Sequence, residues 1–329
     1  MELELNKQAA DATNASQSVN EKDCPEYVWK KGEECSADFS YRLSELLHEV
    51  AEEIQHKQNN SRPQTQGLFS GIQDLDRITN GWQNGTLNII AARPGMGKSA
   101  FALSMARNMA VDYKMPLAFF SMETPARRLL LRLISVESGL KYDKLLGGQL
   151  DANDWKRLNR SISVLEKTGL TIDDSPELSV AELRAKCLSL KQKFGIRAVI
   201  IDHLQHIRSG KNVEEDSGLG INEVSHSLKV ISRELDIPFI VLSPLNISTD
   251  RRMVAKRPQL QDLPGRNALE RDADTIMFIH RPEYYRLETF DDNTPAAGMA
   301  ELIIAKNRLG TTADVKLRFI SEYAIFCNA

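Results

Sequence analysis

The segment Ala91–Ser99 (Ala-Ala-Arg-Pro-Gly-Met-Gly-Lys-Ser) has the residue types and spacing of a phosphate-binding loop. It follows an apolar run and opens a helical stretch, which is the context that such a loop requires. Gly95 and Gly97 allow backbone N–H groups to approach phosphate oxygens, because no Cβ stands in the way. Lys98 can reach the β- and γ-phosphates of a nucleotide, and the Ser99 hydroxyl can bind Mg²⁺. The predicted nucleotide-binding residues of this segment are Arg93, Pro94, Gly95, Met96, Gly97, Lys98, Ser99 and Ala100.

Two carboxylates follow apolar runs of the kind that form buried strands. Asp202 ends the run Ala198–Asp202, and Glu123 follows the run Leu117–Met122. A carboxylate placed like Asp202 can hold the water shell of a nucleotide-bound Mg²⁺, although a strand-end aspartate is also a common turn residue. Glu123 can orient and deprotonate an attacking water, or it can be a helix cap or surface charge. Together with the loop, these residues predict the hydrolysis of a nucleotide.

The elements that must position these residues alternate between strands and helices. Short apolar runs predict buried strands at Leu87–Ala92, Leu117–Met122, Leu170–Asp173, Ala198–Asp202, Phe239–Ser243 and Thr275–His280. Between them lie the helical stretches Ser99–Val111, Arg127–Ser138, Asp154–Lys167, Val180–Phe194 and Ile221–Leu235. This alternation predicts an α/β fold with a mostly parallel central sheet flanked by helices. The last three runs, Ala300–Asn307, Ala313–Phe319 and Tyr323–Cys327, predict a C-terminal antiparallel extension at the sheet edge.

The first 66 residues differ from the rest of the chain. Residues 1–37 are polar without periodicity, which predicts a flexible tail. Within residues 38–66, apolar residues at three- and four-residue steps predict an amphipathic helix over 40–58, followed by a polar linker. The apolar stripe of this helix could pack on its own domain or on a neighbouring copy. We therefore predict a tail (1–37), a linker helix with its linker (38–66) and an ATPase domain (67–329).

The composition excludes several classes of protein. With 329 residues, 42% hydrophobic and 26% charged, the chain is neither wholly disordered, nor a fibre, nor a disulfide-stapled miniprotein. Its four cysteines form no C-x-x-C pair, and no apolar run approaches the ~18 residues of a membrane span. We therefore expect reduced thiols and a cytoplasmic protein without a membrane partner. The net charge of −3 argues neither for nor against a nucleic-acid partner.

Several motifs in a fixed order resemble the ATPase domain of DnaB-type replicative helicases over about residues 67–327. They are Gly71–Asp76, Gly81-Trp82, Ala91–Ser99, Phe120–Pro125, Ile201–Gln205, Leu242–Asn246, Asp262-Leu263, Glu270–Asp274 and Lys306–Arg308. The resemblance implies a RecA-like P-loop NTPase that uses ATP and Mg²⁺. The predicted helix at 40–58 also resembles the linker helix with which such helicases dock on the adjacent subunit. The N-terminal helical domain of the family, which meets primase, has no counterpart in this sequence.

The resemblance implies specific roles for the residues already identified. Lys98 and Ser99 would bind phosphate and Mg²⁺, Asp202 would hold the metal shell, and Glu123 would be the catalytic base. Arg308 would be an arginine finger that reaches the γ-phosphate of the neighbouring subunit.

Lys306 would accompany Arg308 at the neighbour's nucleotide. The physical logic is that charge on the phosphoryl oxygens in the transition state needs a cation supplied in trans. Without the resemblance, Lys306 and Arg308 would be interpreted as two solvated charges on an edge strand.

The resemblance also implies single-stranded DNA at a replication fork as a partner, in the central hole of a homohexamer. The candidate DNA-facing loops are Arg208–Gly220 and Asp262–Glu270, with Lys211, Arg266 and Asn267 as the candidate contacts. These loops carry little positive charge, but six subunits would line one hole with them. A helicase loader and primase are further candidate partners.

Some positions depart from the family pattern. Ala92 stands where the phosphate loop usually has glycine, Pro244 replaces a glutamine, His203 replaces a tyrosine and His226 replaces a common arginine. The histidines lack the spacing of a metal site. Pro244 and the missing N-terminal domain favour an alternative, a DnaB-like regulatory subunit that co-assembles with a helicase. A RadA- or recombinase-like ATPase is a second alternative.

Overall fold

The structure is a computed structural model, and it describes residues 67–209, 218–245 and 257–329. The predicted tail (1–37), the predicted linker helix and linker (38–66) and Lys211 lie outside the described residues. None of the helices in these three ranges is long and apolar enough to cross a membrane.

A nine-stranded sheet organises the described part of the chain. Its strands are β1 (Leu87–Ala92), β2 (Leu117–Ser121), β3 (Leu170–Asp173), β5 (Ala198–Asp202), β7 (Phe239–Pro244), β8 (Thr275–His280), β9 (Met299–Asn307), β10 (Ala313–Ile320) and β11 (Ile325–Asn328). The strand order is β11-β10-β9-β8-β1-β7-β5-β2-β3. The strands from β8 to β3 in this order pair in parallel, and β8–β9, β9–β10 and β10–β11 pair antiparallel. The predicted mostly parallel sheet with an antiparallel C-terminal extension is therefore confirmed.

Helices cover both faces of this sheet. They are α1 (Gln73–Thr79), α2 (Lys98–Arg107), α3 (Ala126–Ser138), α4 (Tyr142–Gly147), α5 (Ala152–Leu165), α6 (Val180–Phe194), α7 (Gly218–Glu234) and α8 (Arg266–Asp272). A π-helical turn at Asn108–Asp112 continues α2, and the short strands β4 (Leu178–Ser179) and β6 (Ile207–Arg208) form a separate parallel pair. Two apolar clusters fill the spaces between the sheet and its helices.

The central strand β1 shows why the phosphate loop is held firmly. All six of its residues are buried. Ile90 and Ala92 belong to one apolar cluster, whereas Leu87, Ile89 and Ala91 belong to the other. A parallel strand that is covered on both faces is apolar along its whole length. The loop that follows β1 therefore leaves from the most buried part of the sheet.

The predicted loop Asp262–Glu270 is wrong in its second half. Residues Arg266–Asp272 form α8, and Gly265 precedes it with a φ of 59°. The helix forms because Ala268 and Leu269 can be buried on its inner face, which packs against α7. The segment is short and mostly polar, so tertiary packing rather than sequence periodicity decides its structure.

Candidate active site

The phosphate loop is shaped by two glycines with left-handed backbone. The φ angles are 79° at Gly95 and 93° at Gly97, and α2 begins at Lys98 directly after them. A Cβ at Gly95 would overlap the Tyr284 hydroxyl, and one at Gly97 would come within 3.1 Å of the Phe326 ring. Only glycine satisfies both the backbone angle and the space at these positions. The loop thus leaves the N-terminal N–H groups of α2 available to an anion.

Ala92 is compatible with this loop although the usual pattern has glycine there. It is the buried last residue of β1, and it is absent from the described non-glycine residues with positive φ. Its carbonyl oxygen accepts a hydrogen bond from the Leu245 N–H at 3.2 Å and from the Lys98 ammonium at 3.1 Å. The departure therefore costs the loop no backbone strain.

Asp202 has the surroundings of a residue that serves a metal shell. It ends β5, it is 1% exposed, and neither carboxylate oxygen accepts a hydrogen bond from the residues that the structure describes. Burial raises its pKa, and the nearby Ser99 hydroxyl and Lys98 ammonium lower it. A buried carboxylate with open acceptor positions beside a hydroxyl fits a hydrated Mg²⁺. Ser99 and Asp202 are therefore the residues that would hold this ion.

Lys98 lies in the field of both predicted carboxylates. Burial lowers the pKa of its ammonium, and the charges of Asp202 and Glu123 raise it. The three groups come from the ends of β1, β5 and β2, whose carboxyl ends share one edge of the sheet. Ligands of open parallel sheets bind at this edge. The structure thus brings together the residues that the sequence predicted as a set.

Glu123 lies next to the predicted metal residue and faces solvent. The Ser121 position of β2 pairs with Asp202, and the Met122 N–H donates to the Asp202 carbonyl at 2.8 Å. The Glu123 side chain is 61% exposed, and its Oε2 is 3.6 Å from Nε2 of His203. A carboxylate in this position has access to water, as a catalytic base needs. Its role as the base stays a prediction.

Lys306 and Arg308 are not solvated charges on an edge strand. Lys306 lies in β9, which pairs with β8 and β10, and Arg308 directly follows this strand. The Lys306 ammonium donates to the carbonyl oxygens of Glu270 and Ala273. Burial and the charge of Arg308 lower the pKa of Lys306. The cation is therefore held at the C-terminal end of α8, where carbonyl oxygens converge.

Arg308 is bound at the same end of α8. Its guanidinium donates to the Arg271 carbonyl, and its Nη1 is 3.4 Å from Oδ1 of Asp274. Its backbone N–H donates to the Asp274 carbonyl at 2.9 Å, and the Asp274 N–H donates to the carbonyl of Leu87 at 2.8 Å. Arg308 therefore lies beside the first residue of β1, at the opposite end of this strand from the phosphate loop.

The distance between the two ends of β1 separates Arg308 from the phosphate loop of its own chain. Five residue steps of an extended strand span about 17 Å, given a rise of ~3.3 Å per residue. The structure therefore does not bring Lys306 and Arg308 together with Lys98.

The predicted DNA-contacting residues of the second segment are exposed. Arg266 and Asn267 stand in the first turn of α8 rather than in a loop. Arg266 forms an ion pair with Glu270, with 3.0 Å between Nε and Oε2. Its positive charge is therefore partly balanced within the helix.

The sequence did not identify three residues that the structure places at the site. Asp274 binds Arg308, Tyr284 lies against Gly95, and the Gln205 side-chain oxygen lies 3.0 Å from Nδ1 of His203. Asp274 directly precedes a buried strand, which was the available signal for it. No comparable signal marks Tyr284.

The family of the chain is decided by a match along most of its length. Residues 67–328 match the family described as DnaB-like helicase C terminal domain. The chain belongs to this DnaB-like family. The resemblance noted in the sequence is thereby confirmed, and so is the RecA-like fold class.

Individual DnaB relatives agree with this membership. Replicative DNA helicase DnaB of Geobacillus stearothermophilus is 37% identical over 286 residues, which cover 87% of this chain and 62% of that protein. Replicative DNA helicase DnaC of Bacillus subtilis (strain 168) gives the same identity and coverage. The chain thus spans 62% of the length of these two curated relatives.

Two solved structures are also similar. One is an isolated ATPase domain, which superposes with a TM-score of 0.79 at 34% identity, covering 88% of this chain and 99% of that one. The other is a DnaB-like replicative helicase, studied for its interactions with primase, which gives a TM-score of 0.78 at 34% identity and covers 88% and 68%.

Proposed function

We propose that this DnaB-like chain is a ring-forming, ATP-dependent helicase motor that translocates on single-stranded DNA and unwinds duplex DNA during replication. The proposal rests on the family membership and on one geometric observation. The phosphate loop and the cation pair Lys306 and Arg308 lie at opposite ends of β1, so one copy cannot supply both to one nucleotide. A second copy of the chain can do so, and a closed ring repeats this contact at every interface.

The residues of the chain divide the work of ATP hydrolysis between two copies. In one copy, Lys98 and the N-terminal N–H groups of α2 bind the β- and γ-phosphates, and Glu123 takes the proton of the attacking water. Mg²⁺, held by Ser99 and the shell of Asp202, neutralises charge on the phosphate oxygens when it is bound. In the adjacent copy, Arg308 and Lys306 face the γ-phosphate and stabilise the charge that develops there.

The DNA would pass through the hole of a homohexameric ring. We propose Arg266 and Asn267 as DNA contacts because both are exposed in the first turn of α8, and we retain Lys211 as a third candidate. The likeness to a DnaB-like helicase that interacts with primase supports primase as a partner class, beside a helicase loader. Such a motor works in the cytoplasm.

A co-assembling regulatory subunit is the second candidate function. Pro244 favours it, because proline offers neither the side-chain amide nor the N–H of the usual glutamine. It ends β7, where it pairs with Ala92 at the base of the phosphate loop. A subunit that lacks this amide could bind ATP in a mixed ring without unwinding DNA by itself.

The two candidates differ in what the protein does alone. A motor is expected to hydrolyse ATP faster when single-stranded DNA is added, and to separate a forked duplex without any other protein. ATPase and strand-separation assays on the pure chain measure both. DNA-independent ATPase without unwinding, together with unwinding restored by a DnaB partner, would favour the regulatory subunit.

Glu123→Gln is expected to slow single-turnover hydrolysis by about 10²- to 10⁴-fold while ATP affinity changes little. The amide fills the same space but cannot accept the proton of the attacking water. Glu166→Gln, at an exposed position that ends α5, is the matched control and should behave as the parent. If ATP affinity collapsed and the single-turnover rate did not, Glu123 would be a structural residue and another carboxylate would be the base.

A further inference from the structure

We infer that Asp274 is a positioning residue that orients the Arg308 guanidinium towards the nucleotide of the adjacent copy. The inference rests on the proposed function, because it assigns a purpose to Arg308 that needs a second copy. It extends that function by naming the group on which the action of the finger depends.

Asp274 is fixed by contacts on several sides. It is 8% exposed, and its Oδ2 accepts a hydrogen bond from the Leu87 N–H at 2.8 Å and from the Lys229 ammonium at 2.6 Å. Lys229 also donates to the Gly85 carbonyl at 2.8 Å. These bonds join Asp274 to the start of β1 and to α7. The carboxylate is thereby held rigidly, with Oδ2 occupied and Oδ1 directed to Arg308.

Arg308 meets this rigid carboxylate with only part of its surface. Its Nη1 is 3.4 Å from Oδ1 of Asp274, and its side chain remains 44% exposed. The second guanidinium nitrogen donates to the Arg271 carbonyl at the end of α8. Two fixed acceptors therefore define the plane of the guanidinium, and the exposed edge keeps donors for a phosphate.

The local charge leaves the cation pair attractive to an anion. Asp274 carries one negative charge and is shared by Lys229 and Arg308. Lys306 adds another positive charge, and its ammonium donates to two carbonyl oxygens, which carry no formal charge. Asp274 therefore orients Arg308 without neutralising the edge of the domain. A freely rotating arginine would lose this advantage, and a displacement of about 1 Å can cost ~10²-fold in rate.

The decisive comparison is between Lys229→Met and the double variant Lys229→Met/Asp274→Asn. Removing the carboxylate charge alone would leave the largely buried Lys229 without its counter-charge, which is destabilising, so the pair of changes keeps the charge balanced. Asparagine can still accept the bond from Leu87. Among the described ion pairs, the one that distinguishes the two variants is the pair between Asp274 and Arg308.

The double variant is expected to have a kcat about 10- to 100-fold below that of Lys229→Met, with a KM for ATP within about twofold. Its own phosphate loop is intact, so mixing it with Lys98→Ala subunits, which carry a correctly held Arg308, should restore ATPase activity. Structural damage alone would give no such rescue. Equal kcat values for the two variants, or no rescue in mixed rings, would overturn the inference.

Arg308→Ala separates this inference from the proposed function. If Arg308→Ala is impaired and the double variant is not, Arg308 acts in trans without help from Asp274, and the inference fails alone. If Arg308→Ala is fully active, the proposed trans finger itself fails. Should the double variant not fold, Asp274→Glu keeps the charge but moves the carboxylate by one methylene. The same fall in kcat with rescue by Lys98→Ala is expected, and an unchanged kcat would overturn the inference.

Discussion

Replacing Arg308 with alanine is expected to lower ATP turnover by about 10³- to 10⁵-fold while ATP affinity changes little. The affinity is set by the phosphate loop of the same chain, which lies at the other end of β1. The turnover depends on a cation at the γ-phosphate, which in this account comes from the adjacent copy. Equilibrium binding of a fluorescent ATP analogue and steady-state hydrolysis measure the two quantities separately.

The control for Arg308 is an arginine of the same sheet extension. Arg318 is exposed on β10, and Arg318→Ala should hydrolyse ATP like the parent. Thermal unfolding should be similar for both variants, because Arg308 is 44% exposed and surface ion pairs contribute little stability. Undiminished turnover in Arg308→Ala would mean that the cation at the γ-phosphate is another residue.

Lys98→Ala is expected to leave a folded protein without measurable ATP turnover. The ammonium that faces the β- and γ-phosphates is lost, and the segment Ala91–Ser99 contains no second lysine. The fold should persist, because burial already lowers the pKa of this ammonium and so penalises its charge. Circular dichroism and thermal unfolding check the fold, and release of inorganic phosphate checks the activity.

Lys167→Ala is the matched control for this variant, because Lys167 is exposed after α5 and lies outside the predicted site. It should retain the activity of the parent. Undiminished hydrolysis by pure Lys98→Ala would exclude the segment Ala91–Ser99 as the phosphate loop.

Much of the fold follows from local sequence patterns. Strands β1, β3, β5 and β8 begin and end at the predicted residues, because each is a short apolar run flanked by polar residues. The antiparallel extension follows from three apolar runs without helices between them. The helix α8 was missed because its seven residues show no clear period and form a helix only when Ala268 and Leu269 pack inward.

The site divides in the same way. Gly97, Lys98 and Ser99 could be identified because a phosphate loop is a local structure whose residues are adjacent in sequence. Asp202 could be identified from a strand end. The contacts that hold Arg308 could not, because Asp274 lies 34 residues away and meets it only through the pairing of β8 with β9. The exposure of Glu123 and its contact with His203 likewise depend on how β2 and β5 are joined.

The most direct test of the account is to mix Lys98→Ala with Arg308→Ala. Each protein alone should be nearly inactive. In a mixed ring, an Arg308→Ala subunit has an intact phosphate loop, and a Lys98→Ala neighbour can offer it an intact Arg308. The account predicts that ATPase activity reappears on mixing in proportion to the mixed interfaces, with hetero-assembly verified by native mass spectrometry. Verified mixed rings with no recovered turnover, or a protein that stays monomeric with Mg²⁺, ATP and single-stranded DNA, would contradict a site shared between two copies.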